Sequence, residues 1–192
     1  LESMVLILKH FFSTLLFLCK RKLYEDKWIL MYTFDTDMPR SLQAYKKIVP
    51  PRDRFWADPH ILHHHGKNYV FIEEYIYNKN KGHLSVIEID ERGNYTNPVV
   101  ILEKETHLSY PFVFKWDKKF YLIPESVATR TIELYEAVEF PFKWKHKLNL
   151  MENVGAVDTT LIYKNNKWWL FVGIAEDNSL ANHNDSAYNT EV

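Results

Sequence analysis

A chain of 192 residues, 46% of them hydrophobic, is long enough to bury a sizeable core, which excludes intrinsic disorder. Its 24 Lys and Arg balance 25 Asp and Glu for a net charge of -1, which argues against nucleic acid as a partner. The single cysteine, Cys19, excludes an internal disulfide framework, while 6 Trp, 12 Tyr and 12 Phe beside only 5 Gly suit half-buried strands and sugar-stacking surfaces.

The first element in chain order is an apolar run from Met4 to Cys19, interrupted by Lys9, His10, Ser13 and Thr14 and followed by Lys20, Arg21 and Lys22. A spanning helix needs about 20 apolar residues, and a signal peptide carries its charge before the apolar stretch, not after it. Residues 1–24 are expected to form a short N-terminal helix that packs, lies on a membrane surface or acts as an anchor. Cytoplasmic and membrane-associated settings both fit. Residues 25–192 are expected to carry the folded domain, with an early strand over WILMYTF (28–34).

Three later stretches align without gaps: FWADPHILHHHGKNYVFIEE (55–74), LSYPFVFKWDKKFYLIPES (108–126) and AVDTTLIYKNNKWWLFVGI (156–174). Asp58, Tyr110 and Asp158 are equivalent anchors, 52 and 48 residues apart, and eleven residues after each stands an aromatic, Tyr69, Tyr121 or Trp169. In each unit two apolar runs flank a polar tetrad, His65-Gly66-Lys67-Asn68, Trp116-Asp117-Lys118-Lys119 or Lys164-Asn165-Asn166-Lys167. This is the pattern of a β-hairpin. The second runs, YVFIEE, FYLIPE and WWLFVG, read as buried inner strands. Third strands are predicted over 83–90 and 131–140, and outer strands over 99–105 and 143–153. Four strands every fifty or so residues is the arithmetic of a β-propeller. The expected class is all-β, with repeat units beginning near 55, 108 and 156. Three units cannot close a ring, so the chain reads as a partial propeller of about three blades, unstable or aggregation-prone alone.

Equivalent ends of the first strands of a propeller converge on one mouth, which brings Asp58, Tyr110 and Asp158 together. Fifteen residues after each anchor stand Glu73, Glu125 and Gly173. Paired carboxylates at such layers could move protons at a glycosidic oxygen, or could cap turns for structural reasons only. Trp56, His60 and His107, with Glu73 and Tyr110, complete the expected substrate-binding set near the mouth. His63, His64 and His65 read as a solvated turn, no histidine has a companion at metal-ligand spacing, and no cofactor motif is present.

FWADP with YVFIEE, GHLSVIEID, HLSYPFVF, YLIPES, TIELYEAVEFP and AVDTTLIY with WWLF resemble the N-terminal propeller domain of the glucosamine inositolphosphorylceramide transferase family over about residues 28–180. The resemblance implies a five-bladed propeller similar to those of glycoside hydrolase family 43. It further implies Asp58 in WADP as general base, Glu125 in PES as acid and Asp158 in VDTT as the third, orienting member. Tyr110 departs from that pattern, where such a hydrolase often presents an acid. The expected function is a carbohydrate-binding or accessory propeller in glycan or glycolipid biosynthesis, with a sugar or glycan ligand and a transferase domain elsewhere in the full-length protein. The alternatives are a glycosidase with those three acids and a purely structural propeller.

Overall fold

The computed structural model describes residues 28–174, so the helix or anchor expected over 1–24 lies outside the described residues. Within them no helix is long and apolar enough to cross a membrane. The architecture is all-β, built from antiparallel sheets. The first repeat unit forms β3 (Arg54–His64), β4 (Lys67–Ile76), β5 (Lys81–Ile89) and β6 (Val99–Leu102), paired in chain order as one four-stranded sheet. The second forms β7 (Ser109–Trp116), β8 (Lys119–Glu125), β9 (Thr131–Glu139) and β10 (Lys143–Glu152) in the same order. The third contributes the hairpin of β11 (Ala156–Lys164) and β12 (Lys167–Ile174).

All three hairpins turn on two residues at positive φ: His65 and Gly66 (49° and 73°), Asp117 and Lys118 (45° and 63°), Asn165 and Asn166 (55° and 57°). That geometry is the type I′ turn, whose twist matches the flanking strands. The step from second to third strand was not legible beforehand. In both four-stranded sheets it is a single 3-10 turn, Tyr77–Lys79 or Val127–Thr129, closed by a left-handed residue, Asn80 or Arg130. The amide of each closing residue donates back to the first residue of the turn.

The second strands are continuously apolar because they are buried on both faces. Tyr69 and Phe71 of β4 pack with Leu84, Val86, Leu108, Val113 and Leu122 between the first and second sheets. Val70 and Ile72, pointing the other way, pack with Leu30, Ile48, Trp56 and Ile87. Likewise Leu122 of β8 faces the first sheet, while Ile123 joins Phe112, Ile132 and Ala156 against the third unit. The sheets therefore stack face to face with one core in each gap.

Two expectations meet a different outcome. The early strand shortens to β1 (Leu30–Tyr32) and pairs with β2 (Lys46–Ile48), a strand absent from the sequence reading, to cover the first sheet on its far side. In β12 the run WWLFVG is exposed where the matching runs of β4 and β8 are buried: Trp169 and Phe171 are 50% and 55% exposed. Only one face of that hairpin is covered, through Leu161 and Val172, and among the described residues no further strand pairs with β12 and no sheet stacks on its other face.

Candidate functional site

Each anchor sits in a β-bulge on the first strand of its unit. Pairing jumps from Ala57↔Glu73 to His60↔Phe71, from Ser109↔Glu125 to Phe112↔Ile123, and from Val157↔Gly173 to Thr160↔Phe171. Two residues thus oppose one at each site, and the first of the two, Asp58, Tyr110 or Asp158, is left-handed, with φ of 49°, 41° and 55°. Asp tolerates this conformation through its short polar side chain, whereas Tyr pays steric strain there. Tyr110 is held in it by two bonds: its amide donates to Asp58 Oδ2 at 3.2 Å, and its hydroxyl pairs with Thr160 Oγ1 at 2.9 Å.

The same registers place Glu73, Glu125 and Gly173 opposite the residue before each bulge, forming a second layer. Asp58 and Asp158 are exposed, Tyr110 is half-buried, and Glu73 and Glu125 are buried. Glu125 accepts from Ser109 Oγ at 2.9 Å and, through Oε2, from the Asp158 amide at 2.8 Å, which ties the second unit to the third. Gly173 leaves the third unit without a carboxylate in this layer, and a Cβ there would lie 2.9 Å from Val157 Cγ2.

Glu73 Oε1 lies 3.5 Å from Nε2 of buried His107. Burial first, then the negative charges of Asp58 and Glu125, push its carboxyl up to about 9. Its neighbour behaves oppositely. Burial pushes Glu74 up, but bonds donated by His83 Nε2 (3.1 Å), Arg54 (2.9 Å), Ser85 Oγ (2.8 Å) and Trp56 Nε1 (3.1 Å) outweigh it and bring Glu74 down to about 2. The alternation of β4 explains the contrast, since consecutive residues face opposite sides of the strand.

Of the residues expected from sequence, Asp58, Glu73, Tyr110, Glu125 and His107 come together, and Asp158 joins through its amide. Trp56 stands apart as a core residue whose indole N–H is bonded to Glu74, touching the outside only as the floor of a shallow cleft with Trp28, Ile29, Asp58 and Pro59. His60 packs edge-on against Phe112 between sheets, and burial lowers its pKa. His64 is also less solvated than a turn position suggests, since its ring contacts Phe120 and Phe140. The Glu74 network and the exposed Trp28 beside Asp58 were missed; the doublet Glu73-Glu74 signals two buried acids but not which faces the bulge layer. Among the described residues no group of three His, Cys, Asp or Glu side chains converges as metal ligands do.

Comparison with known proteins adds the family. Residues 44–188 match the family described as glucosamine inositolphosphorylceramide transferase 1, N-terminal. Glucosamine inositolphosphorylceramide transferase 1 of Oryza sativa subsp. indica is 30% identical over 118 residues, 61% of this chain and 16% of that protein. The protein of the same name from Arabidopsis thaliana is 30% identical over 117 residues, 60% of this chain and 15% of its own length. The matched stretch thus spans about a sixth of these relatives. No solved structure matches the chain. With the family match covering well over half of its length, the chain belongs to the glucosamine inositolphosphorylceramide transferase 1 N-terminal family.

Proposed function

We propose that the stacked sheets are blades of a β-propeller and that the bulge layer is its carbohydrate-binding mouth, serving as a recognition or accessory module in glycolipid glycosylation. The observation that carries this reading is the set of three register-equivalent bulges, which turn Asp58, Tyr110 and Asp158 out of the first strands at one level. Exposed carboxylates accept sugar hydroxyls, and Trp28, 63% exposed in the cleft beside Asp58, offers a stacking face. The relatives are named as transferases acting on a glycolipid, which supports a place in glycolipid biosynthesis, with the transfer chemistry supplied by a separate domain.

The glycosidase alternative has less in its favour. Glu125, its acid, is buried and accepts a hydrogen bond at each oxygen, from Ser109 Oγ and the Asp158 amide. Retention on an immobilised glycan array decides the matter. Asp58→Ala and Asp158→Ala should each weaken binding at least tenfold, and unchanged retention in both would sink the reading. Turnover of aryl glycosides that vanishes in Asp58→Asn would restore the hydrolase.

A further inference from the structure

The two outer faces of the stack complement each other. At the inner joint the first unit meets the second with a full set of strands. Tyr69 and Phe71 of its second strand, Leu84 and Val86 of its third and Ile101 of its outer strand pack against Leu108, Val113 and Leu122. β1 and β2 meet the far side of the first sheet as a third and an outer strand would. They pair antiparallel, as β5 and β6 do. Ile48, Ile101 and Leu150 stand ten, nine and eight residues before Asp58, Tyr110 and Asp158, and each packs against the unit that follows. Leu30 and Ile48 are received by Trp56, Val70 and Ile72.

Among the described residues β1 and β2 therefore have no first and second strand beside them, and β11 and β12 have no third and outer strand. The side chains show the same division. Ile61, Val113 and Leu161 each stand three residues after an anchor and pair with a second strand. Val113 is 2% exposed, in one cluster with Tyr69 and Phe71. Ile61 is 59% exposed, in an apolar cleft of about 160 Å³ shared with Leu30, Met31, Phe34 and Val70. The residues equivalent to Tyr69 and Phe71 are Trp169 and Phe171, on the uncovered face of β12. Both whole sheets stand between that face and Ile61, so the two belong together only across different copies.

We propose that copies of this chain join head to tail, the β12 edge of one pairing antiparallel with the β1 edge of the next. The strands β11 and β12 of one copy and β1 and β2 of the other then complete one four-stranded sheet, and Trp169 and Phe171 close over Ile61. Each copy brings two whole sheets and a half sheet on either side of them. Two copies give four whole and two shared sheets, within the four to eight blades of a propeller ring, whereas three copies would give nine. The assembly closes as a dimer. The ring rests on the propeller reading above; the joint rests on strand pattern and packing alone.

Gel filtration with light scattering of the whole 192-residue chain should give about 46 kDa, two chains of 23.0 kDa. Trp169→Glu with Phe171→Lys spoils one side of the joint and Ile61→Lys the other. Each variant alone should run as a monomer, its dimer dissociation constant raised at least about a hundredfold. Mixed in equal amounts they should recover a dimer, because the intact β12 face of one meets the intact β1 side of the other. All three side chains are exposed in the single copy, so at dilutions where wild type is monomeric both variants should unfold in urea as it does. If one variant does not fold, the mass of the other still tests the joint. A monomeric wild type, a dimer of Ile61→Lys on its own, or a mixture that stays monomeric would each overturn the joint. Open chains longer than two copies, with the rescue retained, overturn the ring and the propeller reading and leave the joint standing.

Discussion

Replacing Glu74 by Gln tests the electrostatics of this sheet most directly. The ionised carboxylate receives four donors, Arg54, Trp56, His83 and Ser85, in a site where Glu74 is 2% exposed. Its pKa falls from 4.5 to about 2 on folding. A depressed carboxylate contributes stability that is present above its unfolded pKa and lost as pH drops through the folded one. Here that amounts to about 3 kcal/mol, lost between pH 4.5 and 2. Gln keeps the shape but turns an NH₂ toward groups that are themselves donors, and it leaves the Arg54 guanidinium without this carboxylate. Urea unfolding at pH 7 should find Glu74→Gln less stable by roughly 3 kcal/mol, with the gap closing as pH approaches 2. Glu73 does not blur the measurement. Its raised pKa gives a contribution present below 4.5 and lost as pH rises through about 9, so it acts in a separate window. A gap that stays constant from pH 7 to pH 2 would refute the reasoning and mark the cost as packing alone.

Gly82→Ala places a methyl 2.8 Å from Glu73 Oε1, His107 Cε1 and the Leu108 carbonyl, so thermal melting should show a loss of about 1–3 kcal/mol, and an unchanged melting temperature would contradict the packing described. Lys118 occupies the second turn position of the β7–β8 hairpin at φ 63°, and Lys118→Gly should stabilise the chain by about 1 kcal/mol in urea unfolding. Trp169→Glu with Phe171→Lys, on the uncovered face of β12, should reduce aggregation in light scattering while moving stability by no more than about 0.5 kcal/mol. Unaltered aggregation would show that this face is not the sticky one.

Much of the fold was legible because each unit repeats two signals that physics reads independently. The turn tetrads predicted the hairpins, and the boundaries of β5, β9 and β10 fall within a few residues of the third and outer strands expected over 83–90, 131–140 and 143–153. The 3-10 turns before β5 and β9 were not legible, since Asn80 and Arg130 hold the left-handed closing position without the glycine that usually signals it. Trp56 shows the limit for the site. An aromatic two residues before a mouth acid reads as a sugar platform, but the bulge at Asp58 breaks the alternation that would put both on one face, and the buried Glu74 carboxylate satisfies the Trp56 N–H. His60 is similar: only the stacking of the second sheet, which puts Phe112 against it, decides its surroundings.

The anchors carry a stronger argument than their residue types suggest. Had Asp58 and Asp158 been turn caps of the ordinary kind, their partners would be amides of their own units. Instead Asp58 receives an amide from the following unit, and the equivalent link to the third unit is made by Glu125, from the layer below. The joint between units is therefore what the repeat preserves, and it moves between two carboxylate positions as the anchor changes from Asp to Tyr. In the second unit the anchor becomes Tyr110, whose hydroxyl reaches Thr160 of the third. Asp158 enters the joint through its backbone amide, which leaves its exposed carboxylate to change without loosening the stack.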